Sequence, residues 1–287
     1  MKCIGARVVP LGFPLATRYS LLTTSSSMLL FHRDLGGEGK APLVVLHGLL
    51  GSSRNWLTTG ADFAAVRHVL APDLRNHGSS PHAPEHSFAA MEADVLETLA
   101  TLGVDRFDLI GHSMGGKVAM HIACNNPGRV ASLIAVDIAP RSYRLDEHAP
   151  QFAAMNALQP ASLKSRQEAE EALFAAVGDL GTAKFLATNL DRREEGGFQW
   201  RINLPVLTAS MATLGKSPLA PTDRFEGRTL FIAGEESGYV RDIDGDPIAT
   251  HFPNASIHRI PGAGHNPHID SRAEFVEEVR GFLEGLS

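Results

Sequence analysis

Cysteine is almost missing from this chain: 287 residues carry two, Cys3 and Cys124. A pair so far apart gives no disulfide framework, which favours a reducing compartment. Long apolar runs are missing too, and none approaches the ~18 residues that a membrane span needs. There is no block of basic charge to form a membrane or heparin patch. The balance of 26 Lys and Arg against 32 Asp and Glu leaves a net charge of -6, which argues against nucleic acid as a main partner. What remains is 44% hydrophobic and 20% charged. That is enough for one large domain or two small ones, with a sizeable core.

One region lacks acids altogether. Residues 1–31 hold Lys2, Arg7 and Arg18, no Asp or Glu, and the hydroxyl run Thr23-Thr24-Ser25-Ser26-Ser27. Basic, hydroxyl-rich and acid-free is the composition of an organelle transit peptide. Residues 1–28 are therefore expected to be an extension addressing the chain to the mitochondrion or another organelle matrix. The alternative is Met28 as the true start, and a cytoplasmic protein. A secretory signal fits poorly, because no compact apolar centre precedes a clean small-residue cleavage site.

Beyond residue 28 the chain alternates short apolar runs with amphipathic ones. MLLFHRDL, PLVVLHG (42–48), VRHVLAPDLR (66–75), RFDLIGHS (106–113) and VASLIAVDIAP (130–140) read as strands; continuous apolar runs suit strands covered on both faces. Phe88, Met91, Val95, Leu96, Leu99 and Leu102 recur at helical spacing, closed by Gly103. Val118, Ala119, Ile122 and Ala123 mark the next helix, stopped by Pro127-Gly128. Residues 141–222 break the rhythm: rich in Ala, Glu, Leu and Lys, with helices near 166–177 and 181–190 and no convincing buried strand. Strands return at 227–234 and 255–262, and a helix over 271–285 begins with capping-box spacing at Ser271 and Glu274. Alternation of this kind predicts an α/β fold, a mostly parallel sheet with helices on both faces. The expected organisation is a core of 29–140 and 223–287, with 141–222 a helical insertion capping the carboxyl ends of the strands, where ligands bind.

Gly111-His112-Ser113-Met114-Gly115 lies between a strand and a helix. G-x-S-x-G needs that context: a sharp turn exposes the serine hydroxyl, and flanking glycines remove bulk. The helix that follows aims unpaired N–H groups and partial positive charge at the serine. The pattern alone is weak, and its bland reading is an ordinary helix N-terminus. His47-Gly48-Leu49 strengthens it, because a loop there can aim the Leu49 N–H, with Leu50 alongside, at the oxyanion that Met114 N–H would also hold.

A serine hydroxyl needs a base. His265, in Gly262-Ala263-Gly264-His265, follows the last strand, and Ser-acid-His is the chain order for this kind of site; His268 is the competitor. His112 is expected to pack beside the turn and His121 to lie on a helix. His77, His82 and His86 lack companion ligands, so no metal is expected. For the acid, the loop after the penultimate strand holds Glu236, then Asp242, Asp244 and Asp246. Asp137, at the end of the strand after the serine's helix, is preferred to them; its bland reading is a turn or cap aspartate.

These residues make the chain resemble the α/β-hydrolase-fold serine esterases, and more narrowly a small acyl-esterase subgroup that includes a bacterial short-chain esterase and a mitochondrial α/β-hydrolase-domain protein. The matching stretches are HGLLGSSRNW (47–56), DLRNHGSSPH (73–82), GHSMGGKVAM (111–120), VDIAPRSY (136–143), FQWRINLPVL (198–207) and GAGH (262–265). The resemblance implies Asp137 as the acid and Ser237 as a supporting hydrogen-bonder beside Ser113 and His265. It implies hydrolysis of small acyl esters without metal or organic cofactor. It departs at Asn266, where many relatives carry an aromatic. An acyl-CoA thioesterase with the same machinery and a non-catalytic binding module on the same scaffold are the other readings. Dehalogenases and epoxide hydrolases are disfavoured, since they carry Asp where Ser113 stands. Phe152, Met155, Leu186 and Trp200 are candidate pocket walls, though core packing suits each one.

Overall fold

The computed structural model describes residues 27–144 and 146–285. The transit-peptide reading, apart from Ser27 and Met28, lies outside the described residues. The chain runs β1 (His32–Asp34), β2 (Pro42–Leu46), α1 (Leu57–Phe63), β3 (His68–Pro72), α2 (Phe88–Thr101), β4 (Phe107–His112), α3 (Met114–Asn125) and β5 (Val130–Val136). It continues through α4 (Ala149–Ala157), α5 (Arg166–Val177), α6 (Leu180–Ala187), β6 (Leu190–Arg192), β7 (Phe198–Trp200) and α7 (Leu204–Leu214). It closes with β8 (Arg228–Gly234), α8 (Gly245–His251), β9 (Ala255–Ile260), α9 (Pro267–Asp270) and α10 (Arg272–Glu284).

Seven strands form one sheet in the order β1-β3-β2-β4-β5-β8-β9. Only β1 is antiparallel to its neighbour; the rest pair in parallel. Side chains alternate between two cores, as the two-residue period of a strand requires. Val44 and Leu46 join α2 and α3 on one face, while Leu43 and Val45 join Trp56, Phe63, Phe275 and Val279 on the other. Both faces are covered, which is why these strands read as unbroken apolar runs.

Helices α4 to α7 bury a third cluster of their own, built on Phe152, Met155, Leu173, Leu186 and Leu207, and Leu50 of the core joins it. Two expectations fail in this region. The 141–222 segment does contain a sheet, the antiparallel pair β6–β7, whose Leu190 and Phe198 are buried against Ala169 of α5. Three-residue strands are too short to show a period in sequence. Helix α6 also stops at Ala187, short of the expected 190, because the chain turns there into β6. The capping box at Ser271 fails too, since its side chain makes no cap hydrogen bond. Helix α9 ends immediately before it and delivers Ser271 at φ -133°, ψ 54°, outside the extended backbone a capping serine uses.

Candidate active site

Ser113 sits at φ 52°, ψ -117°, a region that side-chain-bearing residues rarely occupy and that stores strain. The turn is possible because its neighbours lack side chains. A Cβ on Gly111 would stand 2.2 Å from the Gly115 carbonyl oxygen, and one on Gly115 would stand 2.5 Å from that of His47. The surrounding backbone holds the turn: Ser113 N–H donates to Val136 O at 3.0 Å and Lys117 N–H to Ser113 O at 3.1 Å.

Behind the serine the side chains form a line. Ser113 Oγ lies 3.1 Å from His265 Nε2, and His265 Nδ1 lies 2.7 Å from Asp137 Oδ2. An ionised carboxylate only accepts, so Nδ1 carries the hydrogen and leaves Nε2 to accept from the hydroxyl. Asp137 is fully buried, and a buried charge needs partners. It has three: His265, the Gly234 N–H at 3.1 Å on Oδ1, and the Ser237 hydroxyl at 2.5 Å on Oδ2. Ser237 Oγ in turn accepts the Tyr239 N–H.

The competitors point elsewhere. Asp242 pairs with Arg259, and Asp244 with Arg141. Asp246 lies in the first turn of α8 and Glu236 is exposed. His268 stacks on Trp56 at 4.9 Å, and burial lowers its imidazole to about 3. His112 packs at the turn as expected, its Nε2 2.8 Å from the His265 carbonyl. Tyr239 is a site residue that sequence reasoning missed: its ring stacks on His265 at 3.9 Å and 22°. Only the folded loop after β8 brings the two rings together.

Leu49, Met114 and Ser113 line one small recess. Neither the Leu49 nor the Met114 N–H has a protein acceptor among the described residues. The Leu50 N–H is occupied, donating to His77 Nε2 at 3.2 Å. Leu50 stands at φ 60° and its carbonyl accepts from Asn189 Nδ2 at 2.9 Å, so this strained residue is gripped on both sides. The DLRNHG stretch earns its place here. Asp73 accepts the Ser53 and Ser79 N–H groups, and His47 Nε2 accepts the Leu74 N–H. Two loops are thereby laced together beside the serine.

A cleft of about 470 Å³ opens on Ser113 and His265 and is walled by Trp56, Phe185, Leu186 and Asn266. Of the wall candidates Leu186 alone lines it. Phe152 lines a separate groove of about 690 Å³ that touches neither Ser113 nor His265. Met155 is buried in the α4–α7 cluster, and the half-buried Trp200 packs against it.

A strained serine at the carboxyl end of a central parallel strand, with an imidazole and a buried carboxylate aligned behind it, marks the α/β-hydrolase class. The chain belongs to the alpha/beta hydrolase fold family, which matches residues 41–271. It is 39% identical to the mouse sn-1-specific diacylglycerol lipase ABHD11 over 259 residues, covering 87% of this chain and 83% of that one. It is 33% identical to esterase YbfF of Escherichia coli, covering 86% and 94%. A solved marine microorganism esterase superposes with a TM-score of 0.87 at 34% identity, over 89% of this chain and 100% of that one.

Proposed function

We propose that this carboxylic ester hydrolase works through an acyl-serine formed on Ser113, with His265 as general base and acid, Asp137 as its orienting carboxylate and Ser237 in support. The observation that carries the reading is the unbroken line Ser113 Oγ–His265–Asp137. Ser113 Oγ passes its proton to Nε2 as it attacks the carbonyl carbon, and the carbonyl electron pair moves onto oxygen. The Leu49 and Met114 N–H groups receive that oxyanion, each worth ~3 kcal/mol of transition-state stabilisation. Collapse expels the alcohol, which leaves with the proton from the imidazolium. Water then gives a proton to His265 and attacks the acyl carbon, releasing the acid and restoring Ser113. The steps balance without metal or organic cofactor.

The 141–222 segment acts as the cap. Gln151, Phe185 and Leu186 come from it and wall the cleft, so its shape selects the substrate. The relatives, a diacylglycerol lipase and an esterase by name, fit oxygen esters as the substrate class. The acid-free composition of residues 1–28 addresses the enzyme to an organelle matrix such as the mitochondrion. Among the described residues no helix is long and apolar enough to cross a membrane.

Ser113→Ala abolishes p-nitrophenyl acetate and butyrate turnover and labelling by a fluorophosphonate, while far-ultraviolet circular dichroism stays unchanged. Labelling that survives the substitution rejects Ser113 as nucleophile. Wild-type protein that resists labelling favours the binding module, and a preference for acyl-CoA over simple esters favours the thioesterase.

A further inference from the structure

The mechanism does not use Lys117, a buried cation on the nucleophile helix. Lys117 lies in the first turn of α3, four positions after Ser113, and is 3% exposed. Among the described residues no carboxylate pairs with it. Its ammonium donates instead to the carbonyls of Leu214 at 2.9 Å and Lys216 at 2.7 Å, with that of Gly215 at 3.5 Å. These oxygens end helix α7, where unpaired carbonyls and the negative end of the helix dipole favour a cation. The ammonium also stands 4.8 Å over the Tyr143 ring. Burial, aided by the Arg141 guanidinium, lowers the ammonium to about 7, so the placement is energetically costly.

The position of these contacts in the chain is informative. The segment 141–222 leaves the core after Pro140 and returns after α7. The two connections meet here, with Tyr143 N–H donating to Gly215 O at 2.7 Å and Ser217 N–H to Ser142 Oγ at 3.0 Å. One lysine on the nucleophile helix holds both. From Tyr143 the contacts run on to the active site. Its hydroxyl accepts the Ala139 N–H at 2.8 Å and donates to Tyr239 O at 2.7 Å, and the Tyr239 ring lies on His265.

We propose that Lys117 is a positioning residue: it clamps both connections of the 141–222 segment to the nucleophile helix and, through Tyr143 and Tyr239, keeps His265 aligned with Ser113. The proposal rests on the reading of Ser113 and His265 given above. Its test uses Lys117→Met, which keeps the length and removes every donor, and Lys117→Gln, which keeps an N–H donor. Hydrogen exchange reads the clamp, and steady-state hydrolysis of p-nitrophenyl butyrate reads the alignment. In Lys117→Met, amides at 142–144 and 213–217 exchange faster while those of β4 and β5 do not. There kcat falls about tenfold or more, since a misplacement near 1 Å can cost up to about 10², and KM changes little. Lys117→Gln falls between. If Lys117→Met does not fold, Tyr143→Phe keeps the ring over Lys117, removes the hydroxyl that joins Ala139 and Tyr239, and lowers kcat without faster exchange at 213–217; an unchanged kcat there overturns the proposal. A folded Lys117→Met with wild-type kcat overturns the proposal, as does a lowered kcat with unchanged exchange. Failure of the underlying function reads differently. Ser113→Ala that keeps esterase activity refutes the acyl-serine, while exchange at 142–144 still reports on the clamp.

Discussion

Among the candidate acids Asp137 is the one that lies against His265, and its backbone tells how it gets there. It adopts φ 49°, a left-handed conformation that aspartate tolerates better than most side chains. That kink ends the run of β5 and turns the carboxylate toward the loops after β8 and β9, where its three donors wait. Asparagine at this position reverses the donor logic. An amide nitrogen facing His265 pushes the ring hydrogen to Nε2, which can then no longer accept from Ser113. Asp137→Asn is expected to lower kcat by about 10³–10⁴. Asp242→Asn, on an exposed side chain paired with Arg259, is expected to leave kcat within about twofold, as surface substitutions away from a site do. Steady-state kinetics on the two purified variants decide between them, and the reverse ranking moves the acid to the loop after β8. Ser113 and His265 were legible in sequence because their glycine neighbours announce special backbone. Asp137 was legible only as a preference, because nothing local in VDIAP signals a positive φ. Tyr239 and Lys117 were not legible, since ring stacking and a buried ammonium depend on loops from distant parts of the chain.

Elements divide by length and by how their ends are made. Helices α2, α3, α5 and α10 each carry enough periodic positions to be read, and the interior strands carry mostly apolar runs. Helices α1, α8 and α9 and strands β6 and β7 are seven residues or fewer, and at that length the period is indistinct. The serine caps of α5 and α10 look alike in sequence and differ in structure. Ser165 is extended at φ -141°, ψ 159°, and its hydroxyl accepts the Glu168 N–H at 3.1 Å. Ser271 follows straight from α9 and caps nothing. Ser165→Ala is therefore expected to cost about 1 kcal/mol, and Ser271→Ala less than about 0.5 kcal/mol. Urea unfolding of both variants measures the difference. An equal loss would mean that Ser271 caps α10 in solution after all.

At the scale of the whole molecule, the outstanding feature is how many histidines are buried without charge. His47, His77, His86, His112 and His268 are all buried, and desolvation lowers each imidazole below its ordinary value. His86 and His268 fall to about 3. Two of the five need to be neutral for a second reason, because their Nε2 atoms accept the Leu74 and Leu50 N–H groups that lace the loops beside Ser113. The sign of the pH dependence follows from proton counting. In the unfolded chain these rings titrate near 6.5. Below that pH the unfolded chain binds protons that the folded chain refuses, so stability rises with pH there. The contribution is whole above about 6.5 and drains away as pH falls below it, down to about 3 for His86 and His268, each ring adding up to about 1.4 kcal/mol per pH unit. Denaturant unfolding at pH 7.5, 6.0 and 5.0 should show a steep loss of stability across the last two points. His268→Phe supplies the control: a phenyl ring keeps the stack on Trp56 and takes up no proton, and His268 Nδ1 has no hydrogen bond to lose. The variant should lose stability less steeply with acid than the wild type. Stability that is flat between pH 7.5 and 5.0 in the wild type would mean that these histidines are already charged in the folded protein, and the neutral acceptor roles of His47 and His77 would go with it.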